Sequence, residues 1–236
     1  MRKSGIIFML VLLVGSLVIA GEKPRLGVLR FSNNTHAGWW RSGVGRDLQD
    51  MLINELVSMK AFSVLERKEI DAVLGEQNLG ASGRIDAKTK AAMGKIKGAQ
   101  YLVAATVSSY EEGTSGTGGG VSFKGISVGG KKKTAYLAVD LKIINTTTGE
   151  ITDARTVEAT SKSGGMSLGL HKWGFGGNLS KEKKTPAGKA IRACIMEIAE
   201  YLECSMISGQ NAPCMDEYNA KESKRREKTK GAIDLD

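Results

Sequence analysis

The chain has 236 residues, with 34 Lys or Arg against 25 Asp or Glu and a formal net charge of +9. Beyond its N-terminal segment no apolar run reaches the roughly 20 residues of a transmembrane helix, so deeper membrane insertion would need β-strands. Two histidines and three cysteines exclude a histidine-rich metal centre and a dense disulfide framework.

The chain opens MRKSGIIFMLVLLVGSLVIAGEK. Arg2 and Lys3, an apolar run from Ile6 to Val14, and small residues ending at Ala20 have the layout of a signal peptide over residues 1–20, cleaved after Ala20. An uncleaved anchor is the alternative. An exported basic protein meets an anionic membrane surface or envelope more readily than nucleic acid. Cys204 and Cys214 could bridge across the SGQNAP turn; equally, all three cysteines could be reduced, with Cys194 a core residue.

Arg25 to Phe31 alternates as a first strand, followed by the polar loop SNNTHAGWWRSG. Val44, Leu48, Met51, Leu52, Leu56 and Met59 recur at helical spacing. FSVLE reads as a short strand, and RKEIDAVLGEQNL as a second helix with Ile70, Val73, Leu74 and Gln77 on one side. DAKTKAAMGKIKG predicts a short polar helix, capped by Asp86 and stopped by Gly98. YLVAATVSSY is apolar on both faces at first, as in a central strand. TAYLAVDLKII alternates Leu137, Val139, Leu141 and Ile143 against Tyr136, Ala138, Asp140 and Lys142, and ITDARTVEATS leads out along another strand. Lys189 to Ile207 predicts a last helix with Ile191, Ile195, Ile198 and Leu202 in register, and the polar remainder, 208–236, reads as a solvated, partly disordered tail. This order predicts a mixed α/β layered domain. Two glycine-rich excursions, GTSGTGGGVSFKGISVGGKKKT and MSLGLHKWGFGGNL, interrupt its later strands.

Those excursions carry the functional question. GISVGGKK nearly spells a phosphate loop, but Lys132 stands where a Ser or Thr would ligate Mg²⁺, and a strand rather than a helix follows. His36 and His171 lie in polar loops with no ligand spacing, and no Ser or Cys occupies a nucleophile elbow, so no enzyme, metal site or cofactor is indicated. Lysines beside Phe123, Trp173 and Phe175 could hold single-stranded nucleic acid, a reading that export disfavours. Both excursions can also be cut into strands of transmembrane length. Four strands cannot close a barrel alone, so this requires a ring of subunits sharing one barrel; mobile periplasmic loops are the alternative.

FSVLERKEIDAVLGEQNL, GAQYLVAATVSSYE, AYLAVDLKIINTTTGEI and GKAIRACIMEIAEYL together resemble segments of the CsgG family. The resemblance runs from Arg25 to about Ile207. It implies an exported periplasmic α/β domain over 21–207 whose subunits form a homo-oligomeric ring, nonameric in the family's curli-secretion channel. Each subunit would give two β-hairpins, residues 110–136 and 156–184, to one outer-membrane barrel that passes unfolded polypeptide cargo with periplasmic accessory proteins. Val121, Phe123, Ile126, Val128, Met166, Leu168 and Leu170 are the candidate lipid-facing positions. The loop after the first strand would narrow the pore, with Asn33, Asn34, Trp39 and Trp40 offering comparable side chains, although it is shorter than the family's. LVIAGEK has no cysteine at the cleavage site, which implies no lipid anchor. Lys132 would cost about 2–4 kcal/mol facing lipid at mid-membrane, so a soluble periplasmic assembly or binding protein of the same fold is the alternative.

Overall fold

A computed structural model describes residues 22–116, 122–123, 126–127, 131–162 and 185–232. The elements run β1 (Arg25–Val28), β2 (Ser32–Asn33), α1 (Val44–Met59), β3 (Ser63–Leu65), α2 (Ile70–Ala81), β4 (Tyr101–Gly116), β5 (Ser122–Phe123), β6 (Ile126–Ser127), β7 (Lys131–Asn145), β8 (Ile151–Lys162), α3 (Pro186–Glu203), a π-helical turn (Cys204–Ser208) and α4 (Pro213–Gly231).

Among the described residues one six-stranded mixed sheet has the order β3-β1-β4-β7-β8, with β2 added to β4. β1 pairs in parallel with β3 and β4, and β2 in parallel with β4. β4, β7 and β8 form an antiparallel ribbon. β4 is central, as its two apolar faces predict.

The alternation in β7 decides which face is covered. Leu137, Val139, Leu141 and Ile143 are buried, as are Val103, Ala105 and Val107 of β4. α1 packs against α3 above them, and α3 lies across β7 and β8. α1 contributes Val44, Leu48, Met51, Leu52 and Leu56, and α3 contributes Ile191, Ile195, Ile198 and Leu202. Each such side chain gains about 1.5–3 kcal/mol on leaving water. Thr185 caps α3, its Oγ1 accepting from Gly188 N at 3.1 Å, and Pro186 fills the first turn. The other face is polar on β7 and β8: Lys142 and Glu158 are exposed, and Thr156 Oγ1 donates to Asp140 Oδ1 at 2.9 Å.

Three expectations differ from the structure. Residues 86–98 form turns, not a helix. Asp86 does cap, its Oδ1 accepting from Lys88 N at 2.9 Å, but Gly94 adopts φ 72° and residues 91–98 are all exposed, so no buried face sustains a helix. α2 forms with its apolar side together, yet Val73, Leu74 and Leu79 are exposed and only Gly80 is buried. The segment expected to be a solvated tail contains α4, which is docked through Met215 and Tyr218.

Candidate assembly surface and pore loop

The ribbon outgrows the domain. β4 pairs with β7 from Tyr101↔Asn145 to Gly116↔Lys131, whereas β1 stops at Val103 and β2 at Val107. A register shift between Val107 and Ser109 marks the departure, as bulges do where a strand leaves a sheet. Beyond it, the outer edge of β4 has no strand partner among the described residues. At about 3.3 Å per residue, Ser109 to Gly116 extends some 25 Å. β8 follows β7 as far as Thr134↔Lys162. Further out, β5 and β6 pair Phe123 with Ile126. Val121, Val128, Met166, Leu168 and Leu170 lie outside the described residues, as do residues 163–184 of the expected second hairpin.

Near the ribbon base, burial and a hydrogen bond to Glu158 push the Tyr136 phenol well above its usual range. That pairing ties β7 to β8 on the polar face.

The loop from β2 to α1 is built by local hydrogen bonds. Asn34 N donates to Val107 O at 2.9 Å, anchoring the loop on β4. Asn33 Oδ1 accepts from Thr35 N at 3.0 Å and from Thr35 Oγ1 at 2.7 Å, folding the chain into an Asx turn. At the far end, Phe31 N donates to Gly45 O at 3.1 Å, and a Cβ on Gly45 would meet Phe31 O at 2.3 Å, so only glycine allows this closure. Trp39 is buried and packs edge-on against Tyr110 of β4 and against Trp40, at centroid distances of 5.3 and 5.6 Å. It therefore belongs to the domain's core cluster. Asn34 and His36 are exposed and Trp40 is half-buried. An open hollow of about 520 Å³, lined by Asn34, His36, Ser109, Tyr110 and Glu111, separates the loop from the ribbon base.

A third cluster joins α4 to the ribbon. A disulfide links Cys204 to Cys214, with Cα atoms 6.1 Å apart, while Cys194 is free and buried with its Sγ 3.6 Å from Val157 O. Burial pushes the Cys194 thiol up, which makes it unsuited to nucleophilic work. The Arg155 guanidinium of β8 lies 4.9 Å from the Tyr201 ring and 5.3 Å from the Tyr218 ring, and its Nη2 donates to Tyr218 O. Tyr201 donates to Asp153 Oδ2 at 2.7 Å. Burial, aided for Tyr201 by the bond to Asp153, pushes both phenols up to about 12. The sequence pattern points to neither Arg155 nor Tyr218; one tyrosine and a cysteine in a charged segment were the available signal.

Among the described residues no group of His, Cys, Asp and Glu could hold a metal ion, and no helix is long and apolar enough to cross a membrane. No curated protein sequence matches the chain. Among solved structures, it is similar to the hypothetical protein CT253 from Chlamydia trachomatis (13% identity, 79% of this chain and 99% of that one, TM-score 0.47). It is also similar to protein XCC0632 from Xanthomonas campestris (10% identity, 76% and 83%, TM-score 0.43) and to the PelC dodecamer from Paraburkholderia phytofirmans (11% identity, 74% and 85%, TM-score 0.35). These similarities go no further than a general resemblance of shape. The family model for the curli production assembly/transport component CsgG matches residues 13–233, nearly the whole chain, and the chain belongs to the CsgG family.

Proposed function

We propose that this chain is an exported subunit of an outer-membrane ring that conducts unfolded polypeptide passively, in the manner of curli secretion. The observation that carries this reading is the β4–β7–β8 ribbon, which leaves the covered domain with unpaired outer edges among the described residues. An isolated ribbon with bare edges is marginal in water and pairs readily with further strands. Neighbouring copies supply those strands, so that every backbone group is satisfied within a closed barrel. The ring is homo-oligomeric, and cargo and periplasmic accessory proteins meet it at the domain side. The hairpins hold it in the membrane.

The loop between β2 and α1 narrows the mouth through Asn34 and Trp40, Trp39 being committed to the core. No catalytic step is needed: a pore width set by side chains selects an extended chain. Lysines at 131–133 within the ribbon favour a soluble periplasmic assembly or binding protein as the second reading, because each is costly against lipid.

Cell fractionation decides between them. We expect a heat-modifiable oligomer in the outer membrane, and Phe123→Asp should move the chain to the soluble fraction with its α/β domain still folded. A soluble monomer in the unmodified chain, or unchanged membrane association of Phe123→Asp, would count against the channel.

A further inference from the structure

α2 is exposed where α1 and α3 are docked. Val73 and Leu74 on its apolar side are 41% and 42% exposed, and Leu79 is 39% exposed. Its buried residue is Gly80, where an added Cβ would meet the Lys90 Cβ at 3.3 Å, so the helix rests on the segment that follows it rather than on the core. That segment, residues 82–98, exposes Met93 and Ile96. It also carries Arg84, Lys88, Lys90, Lys95 and Lys97 against Asp86, and among the described residues none of these cations has an ion-pair partner. Large apolar side chains gathered in one exposed stretch mark a contact surface. A complementary surface lies elsewhere on the chain. α2 follows β3, the edge strand at one side of the sheet, whereas α3 lies across β7 and β8 towards the other. Along α3 and the turn after it, Met196, Glu200, Glu203 and Ile207 recur at helical spacing, with Ile207 44% exposed. Glu200 is within electrostatic reach of Glu55 on α1 and of Glu203. Glu55, Glu200 and Glu203 have no ion-pair partner among the described residues, while nearby Glu197 is held by Lys221 at 2.8 Å.

We propose that α2 and residues 82–98 of one copy of this chain dock on the α1–α3 face of the next copy. Apolar side chains of α2 meet Met196 and Ile207, and the lysines of 82–98 face Glu55, Glu200 and Glu203. The proposal rests on the ring reading above and names the surfaces through which the α/β domains of neighbouring copies meet. Charge sets the partner: a surface that combines apolar side chains with free cations fits one that combines apolar side chains with free carboxylates. Because the two surfaces differ and lie towards opposite sides of one sheet, the contact is head-to-tail, the kind that repeats from copy to copy and can close into a ring. A two-fold contact of α2 with α2 would bring like charges together and stop at a dimer. It follows that the apolar side of α2, which the domain leaves in water, is covered only in the assembly.

The test places a photo-crosslinking benzoyl-phenylalanine at Leu74 in the full-length chain, maps the adducts by peptide mass spectrometry, and sizes the same sample by gel filtration in detergent. We expect copy-to-copy adducts that join position 74 to the partner's residues 189–208. Combining Glu200→Lys with Glu203→Lys should abolish them, with circular dichroism confirming a folded domain, and adding Lys88→Glu with Lys95→Glu should restore them. Adducts that survive the Glu200→Lys, Glu203→Lys change would overturn the charge pairing and with it the proposal. Adducts joining position 74 to residues 70–98 of another copy would show a two-fold contact and overturn it as well. Adducts to a different protein alone would give α2 to an accessory partner, again against the proposal. A ring-sized oligomer without any adduct would overturn the docking and leave the ring reading standing. A monomer without any adduct would overturn both.

Discussion

Glu222 shows how a charged helix is held at single-residue scale. Its carboxylate accepts from Arg225 Nη2 and from Arg226 Nε, both at 2.7 Å. The hydrogen bond from Arg225, then that from Arg226, holds its pKa at about 2 against an ordinary value of 4.5. The folded state thus favours the ionised form. Its contribution is complete above about pH 5 and is lost as the pH falls from 4.5 towards 2. Solvent screens these partners, so we expect a loss of about 1 kcal/mol across that window rather than the full shift. Urea denaturation of Glu222→Gln should show a flatter profile over that window, and an unaltered profile would mean the pairs contribute nothing. Arg155 is the other residue of consequence: a guanidinium against an aromatic ring is worth roughly 0.5–2 kcal/mol, and here it lies beside the Tyr201 and Tyr218 rings, which themselves meet edge to face at 5.1 Å, so that strand, α3 and α4 join at one point.

Among the elements, α1 and α3 were readable because their apolar residues recur on one face and that face is buried. α4 was not. Its sequence KESKRREKTKG reads as a solvated tail, and a helix polar nearly all round is marginal by itself. Its order comes from ion pairs such as Lys221–Glu217 at 3.1 Å, from Met215 and Tyr218, and from a disulfide spanning 10 positions. Closing a loop of that length stabilises by roughly 2–3 kcal/mol in the chain-entropy view. Reduction should therefore release α4 first. Limited trypsin digestion with and without reductant is expected to cut within residues 221–230 only when the bond is open, the rest of the domain resisting. Equal cleavage in both conditions would show that packing alone holds the helix. The turns at 86–98 went unread for the opposite reason: a good cap at Asp86 opens a segment that has no face to bury.

At the scale of the whole molecule, the core and the outer ribbon are separable. The buried side chains of β4 and β7 lie at Val103 to Val107 and at Ala135 to Ile143, below the ribbon's outer half. Replacing residues 114–133 by an Asn-Gly turn joins Gly113 to Thr134, which already face each other. This shortened chain is expected to fold with stability within about 1 kcal/mol of the parent, and to lose ring assembly as judged by gel filtration in detergent. If the shortened chain failed to fold, the ribbon would be part of the domain's own stability.

What the amino-acid sequence determined by itself is the layered α/β core, since periodicity two in TAYLAVDLKII and helical spacing in α1 and α3 each dictate a buried face. It also carried the resemblance that the family match upholds, along chain segments that lie within or beside that core. Tertiary structure alone decided that Trp39 turns into the core, that α2 keeps its apolar side exposed, and that α4 docks beside β8. The first and the last depend on contacts between residues far apart in the chain: Trp39 with Tyr110, Arg155 with Tyr218, Glu158 with Arg225. Local pattern is blind to such pairs because it records which residues leave water and not which partner they meet.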